Sequence, residues 1–142
     1  IAMTFADMAE KRVDRRTLTT LPAQFQDGMS LIYYASSLVG GLEGAIDAPT
    51  VVDTGLSSTT IRFTTNRETL SLWKDSARVR AVVLSGKLNY AGIVGVTGEF
   101  KGWFSDDARH LPLRGDMKAW VGKVTLEISP DHRDDLSAIF VQ

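Results

Sequence analysis

Between Tyr90 and Phe104 the chain carries Gly92, Gly95, Gly98 and Gly102, three, three and four residues apart, in a stretch that otherwise reads as strand. Glycines this frequent weaken a strand and permit strong bending or close approach by another element, so the sheet that contains them is expected to be highly curved. The spacing does not build a phosphate loop, because no Lys-Ser or Lys-Thr ending follows it and no helix opens after it. The segment runs into Trp103-Phe104-Ser105-Asp106-Asp107-Ala108-Arg109-His110-Leu111-Pro112-Leu113. Gly95 to Leu113 therefore reads as a strand, a polar turn and a second strand, and the turn holds most of the side chains one could suspect of chemistry.

The neighbouring segments follow from periodicity. Gln26 to Val39 has Met29, Ile32, Tyr33 and Ser36 at three- and four-residue spacing, with Asp27 as N-cap and Gly40-Gly41 as stop, which predicts a helix. Its stripe Met29, Leu31, Ile32, Tyr33 and Leu38 is expected to dock on the sheet. Thr59 to Thr65 alternates Ile61 and Phe63 against Thr60, Arg62 and Thr64, and Leu70 and Leu72 repeat the pattern. With Asn66-Arg67 as the turn, this predicts a hairpin.

Ala77 to Leu88 reads as a longer strand with a bulge or turn at Gly86. Leu111 to Trp120 and Lys123 to Ile128 form a final pair across Val121-Gly122, with Val124, Leu126 and Ile128 expected on a buried face. The polar stretch Ala6 to Thr20 reads as a loop with a short helical or extended piece. The apolar Ala138-Ile139-Phe140-Val141 end is expected to tuck onto the domain. A chain of 142 residues with 44% hydrophobic content fits one domain.

Bulk chemistry excludes several function classes. The 16 basic and 17 acidic residues leave a formal net charge of -1, so no global field draws in nucleic acid or an anionic membrane. The cluster Lys11, Arg12, Arg15 and Arg16 is interrupted by Asp14 and reads as a solvated segment. There is no cysteine, which removes disulfides, thiolate metal sites and a cysteine nucleophile. No apolar run approaches the ~20 residues of a membrane helix. The chain begins at Ile1, so the native start is expected upstream.

The turn itself is a weak active site. Asp106 and Asp107 are adjacent, so on an extended backbone their carboxylates diverge and do not face each other as an acid/base pair. The simpler reading is a turn lock, in which one of them accepts bonds from turn amides or from Arg109. Ser105 near His110 has the residue types of a nucleophile and base, yet no nucleophile elbow surrounds Ser105. His110 and His132 could meet Asp131, Asp134 or Asp135 around zinc, but two lone histidines on polar loops are far more often surface residues. No catalytic, metal or cofactor site is expected. Trp73, Trp103, Trp120, Tyr90, Phe100 and Phe104 either fill the core or line a concave face fit for an apolar ligand, with Arg109 and Arg114 available to an anionic head group at its mouth.

The segments Asp27-Gly28-Met29-Ser30-Leu31-Ile32-Tyr33-Tyr34 and Gly102-Trp103-Phe104-Ser105-Asp106-Asp107-Ala108-Arg109-His110-Leu111-Pro112-Leu113, with the closing Gly122-Lys-Val-Thr-Leu-Glu-Ile, resemble the bacterial exported-protein family known as domain of unknown function 3108. The resemblance runs from about Pro22 to Ile128. It implies a mainly β (α+β) fold, a curved antiparallel sheet or partial barrel with one packed helix, in a periplasmic or cell-envelope protein, and no established activity. His110 stands where the family would have a second arginine. The family's opening strands are expected to be missing, which would leave an unpaired sheet edge open to a second copy or to an N-terminal segment of the same protein.

The leading expectation is thus a non-catalytic envelope module that binds an apolar ligand, such as a lipid, on Trp73, Trp103, Trp120, Tyr90, Arg109 and Arg114, or a partner chain on its edge. Two alternatives stand beside it: a hydrolase or metal-dependent enzyme using His110 with Asp106 and Asp107, and a purely structural domain.

Overall fold

The computed structural model describes residues 2–7, 12–17, 24–52, 55–91, 96–119 and 122–141. Two strands, β1 (Ala2–Asp7) and β2 (Arg12–Thr17), pair antiparallel as a two-stranded sheet of their own. The stretch read as a loop is therefore largely extended; the side chains of its basic cluster lie outside the described residues. An α-helix, α1 (Ser30–Leu38), is followed by the strands β3 (Gly44–Val52), β4 (Gly55–Leu72), β5 (Ala77–Ala91), β6 (Val96–Ser105), β7 (Pro112–Ala119) and β8 (Lys123–Glu127). These strands form one antiparallel sheet in sequence order, open at β3 and β8, as the mainly β reading expected.

Asp27 nucleates the helix as expected, although the regular turns begin at Ser30. Its Oδ1 accepts from the Met29 and Ser30 amides at 3.0 and 2.7 Å, and Ser30 Oγ accepts from the Asp27 amide at 2.8 Å. This reciprocal arrangement satisfies amides that no helical carbonyl can reach. The buried stripe differs from the expected one. Ala35 and Val39, with Leu31 and Leu38, meet the sheet, while Met29, Ile32 and Tyr33 face outward at 68%, 38% and 69% exposure. The apolar pattern offered two stripes, and the narrower, small-residue one allows the closer approach to the strands.

The expected hairpin at Asn66-Arg67 is a bulge within one 18-residue strand. Phe63 faces Leu84 whereas Arg67 faces Val82, so β4 carries two surplus residues there. The real reversal is Trp73 to Ser76, where Trp73, Lys74 and Asp75 all have positive φ. Gly86 does not interrupt β5 either; the irregularity falls between Lys87 and Ala91. Gly86 is needed because a Cβ there would collide with the Phe100 ring and the Thr60 carbonyl oxygen.

Alternation sends the strands' side chains to two cores. Ile61, Phe63, Val82, Leu84 and Phe104 lie under α1 on one face. On the other face Leu70, Leu72, Val79, Ala81, Val83, Trp103 and Leu113 are covered by the C-terminal tail, whose 3-10 turn Asp134–Ile139 inserts Leu136 and Ile139. The tail is secured by a bridge from Phe140 to Val79 and by the Val141 amide on the Arg78 carbonyl at 2.8 Å.

Curvature shows in one contact. In a flat sheet β5 and β8 would run about 14 Å apart, yet the β4–β5 turn reaches β8: the Trp73 amide donates to Glu127 Oε1 and Trp73 Nε1 to the Ile128 carbonyl, both at 2.8 Å.

β8 corrects a further expectation. Leu126 is 56% exposed and Val124 only half-buried, because β8 is the edge strand and nothing among the described residues covers its end of that face.

Leu136 is fully buried, so Leu136→Ala is expected to lower unfolding stability by about 2 to 5 kcal/mol, measured by urea titration followed through tryptophan fluorescence.

Candidate functional site

The turn between β6 and β7 is where the elements meet. Ser105 is fully buried; its hydroxyl donates to Asp107 Oδ1 at 2.7 Å and accepts from the Leu111 amide at 2.7 Å. Asp107 also accepts from the Arg109 amide at 3.1 Å, and its Oδ2 takes Arg109 Nε and Nη2 at 2.9 and 2.6 Å. Arg109 Nη2 reaches on to the Asp135 carbonyl at 2.6 Å, which ties the turn to the C-terminal tail. Desolvation pushes the Asp107 carboxyl up, but the Ser105 hydroxyl and the Arg109 guanidinium and amide outweigh it and hold the group below its usual range.

Asp106 turns the other way, to Arg67 Nε at 3.0 Å on the β4 bulge. His110, at φ 45, gives its carbonyl to the Ser36 hydroxyl of α1 at 2.6 Å, and its ring stands over Gly40. A Cβ at Gly40 would lie 2.9 Å from His110 Nε2, and Gly40 has φ 77, so both space and backbone require glycine. Among the described residues, no carboxylate bonds the His110 ring. Ser105 and Asp107 thus bond each other, while Asp106 turns to Arg67 and His110 is tied through its carbonyl to Ser36. No group of three or more potential metal ligands occurs among the described residues. His132 Nδ1 meets Asp135 at 3.2 Å on the surface.

The aromatic residues divide between faces. Trp103 is buried under the tail; its Nε1 donates to Glu68 Oε2 at 3.0 Å, with Lys101 Nζ 4.6 Å and the Arg114 guanidinium 5.6 Å from the ring. Trp73 packs against the same cluster with Arg133 over its ring, whereas Phe100 and Phe104 belong to the core under α1. The Tyr90 side chain and Trp120 lie outside the described residues. Arg114 is bonded to Asp116 at 3.2 Å. Trp73 and Trp103 therefore meet packed protein, and both arginines have carboxylate partners.

What stays open lies farther along the Trp103 face: a groove of about 560 Å³ across β4 to β8. It presents Arg62, Lys87, Lys101, Lys118 and Lys123 against only Glu99 and Asp116. Lys118 pairs with Glu99 and Lys123 with Asp116, while Lys101 is held by Glu68. The Asp116 carboxyl, raised by desolvation, is brought below its usual range by Lys123, Thr125 and Arg114. Among the described residues no carboxylate lies within 4.0 Å of the Arg62 or Lys87 nitrogens, although Glu99 faces Lys87 across the β5–β6 ladder. Periodicity did not bring these groups together, because they come from five strands and only the cross-strand register sets them side by side. The alternation of Lys101 with Trp103 and of Asp116 with Arg114 was the only signal available.

Ser105→Ala leaves the half-buried Leu111 amide without its acceptor and is expected to cost about 1 kcal/mol in chemical denaturation. Asp107 has a folded pKa below the unfolded value of about 3.9. Its contribution is therefore complete above that value and is lost as pH falls through the folded one. The stability difference between the wild type and Asp107→Asn is expected to be constant near neutrality and to shrink below about pH 4, as read from melting temperatures across pH.

No curated protein and no solved structure matches the chain. The family described as protein of unknown function, DUF3108, matches residues 3–129, a span that begins ahead of the quoted motifs and takes in β1 and β2. With the match covering most of its length, the chain belongs to the DUF3108 family.

Proposed function

We propose that this domain is a non-catalytic assembly module of the bacterial cell envelope, and that it takes a partner chain on the open edge of its sheet at β8. One observation carries the reading: β8 is a terminal strand whose outer side has no strand partner among the described residues, and it shows the exposed Leu126 beside that side. An edge of this kind is a template for strand addition, with backbone groups supplying affinity and alternate side chains supplying selectivity. The opposite edge is less available, since Gln26 already bridges β3 at Thr50. The envelope location follows the family's character as exported proteins.

Against the hydrolase alternative stands the divergence of its residues, with Asp106 on Arg67, Asp107 on Ser105 and Arg109, and the His110 ring over Gly40. An apolar ligand on Trp73 and Trp103 would have to displace the tail. A second binding reading is favoured by the groove's five cations against two carboxylates: it suits an elongated anion.

Native mass spectrometry of the protein isolated from its own host separates these readings. The assembly reading expects a mass above that of one chain, with slow hydrogen exchange at the Lys123, Thr125 and Glu127 amides. A single bare chain with fast exchange there overturns it. For the groove, a bound anion is expected to leave on raising salt and to bind at least tenfold more weakly to Arg62→Glu/Lys87→Glu, since charge attraction is screened.

A further inference from the structure

We infer that the partner at the β8 edge is a second copy of this chain, joined β8 to β8 about a two-fold axis through Thr125. The inference rests on the edge reading above and adds the identity and register of the partner. Its basis is that Lys123-Val124-Thr125-Leu126-Glu127 is complementary to its own reverse.

The backbone sets which groups point outward. The Ala119 amide donates to the Gly122 carbonyl and the Ile128 amide to the Leu113 carbonyl. Antiparallel pairs alternate between bonded and non-bonded, so Met117 with Val124 and Gly115 with Leu126 are the bonded pairs inside the β7–β8 ladder. Lys123, Thr125 and Glu127 therefore turn their N–H and C=O groups away from β7. The strand, and with it the outward-facing series, ends at Glu127.

An antiparallel copy centred on Thr125 uses all three outward residues. Thr125 bonds Thr125 of the second copy, and Lys123 bonds Glu127 in both directions. On one face each Lys123 ammonium then stands opposite a Glu127 carboxylate whose Oε1 holds the Trp73 amide and whose Oε2 remains for the lysine. On the other face Val124 meets Leu126 in a non-bonded pair, where strands bring side chains closest, and the exposed Leu126 is covered.

Other arrangements lose these matches. A one-residue slip sets apolar against charged side chains, a two-residue slip leaves Glu127 without its lysine, and a parallel in-register pairing places like charges side by side. At β3 the chain covers its own edge, with the Gln26 amide on the Pro49 carbonyl and the Val51 amide on the Gln26 carbonyl, both at 2.8 Å.

The chain contains no cysteine, so a single introduced thiol reports the axis directly. In a bonded antiparallel pair the Cα atoms are about 5.5 Å apart, inside the range a disulfide spans. Thr125→Cys is expected to form a covalent dimer under mild oxidation. Val124→Cys mixed with Leu126→Cys is expected to cross-link more than either variant does alone. Sedimentation equilibrium is expected to show a wild-type dimer that Thr125→Pro weakens at least tenfold, since proline is tolerated on an edge but cannot donate outward. Lys123→Glu, which opposes two carboxylates, provides a second dissociating variant should Thr125→Pro fold poorly. A wild-type chain that stays monomeric at high concentration overturns the second copy as partner and leaves the edge for a different chain. A dimer with fast exchange at Lys123, Thr125 and Glu127 overturns the edge reading with it. A dimer protected at these amides in which Thr125→Cys does not cross-link overturns the register.

Discussion

The Asp107 carboxylate is the interaction on which the rest of the arrangement depends. It gathers the Ser105 hydroxyl, the Arg109 amide and the Arg109 guanidinium, and through Arg109 it reaches the Asp135 carbonyl in the tail. Three residues further, the His110 carbonyl takes the Ser36 hydroxyl of the helix. A single turn thus holds a covering element on each face of the sheet. A carboxylate suits the task because it accepts several bonds at once, and donors that are charged or partly shielded from water make those bonds stronger.

That arrangement also sets the polar cluster apart from a converging constellation. A catalytic constellation needs its groups to converge on a space where a reacting atom can sit. Here they diverge: Asp106 toward the β4 bulge, Asp107 into its own turn, and His110 over Gly40. Among the described residues no buried side-chain polar atom lacks a partner, so the turn has no unmet demand for a ligand to satisfy. The open features of the sheet are peripheral, the cationic groove and the β8 edge. Lys123 belongs to both, since it lines the groove and stands on the edge strand. A second copy at the edge would therefore border the groove.

The sheet's curl joins these two regions. Three consecutive left-handed residues, Trp73 to Asp75, form a turn that costs roughly 1 to 2 kcal/mol per residue in isolation. Glu127 and the Ile128 carbonyl offset part of that cost by receiving both nitrogens of Trp73. The same contacts tie the end of β8 to the β4–β5 turn.

The sequence alone carried the family, the mainly β class, the Asp27-capped helix, the β7–β8 pair and the docking of the apolar C-terminus, because each depends on local periodicity, capping or a compact motif. It also carried the bonding of one of the two aspartates to a turn amide and to Arg109, since such a short side chain reaches its own local backbone. Only the tertiary structure decided which helix stripe is buried, that Asn66-Arg67 is a bulge and not a turn, and that Leu126 is exposed. Alternation tells which residues share a face but not whether anything covers it. In the same way, Trp73 and Trp103 could be read as groove or core until the tail was seen lying on them. The cations of the groove come from five strands, aligned by cross-strand register that no single segment encodes.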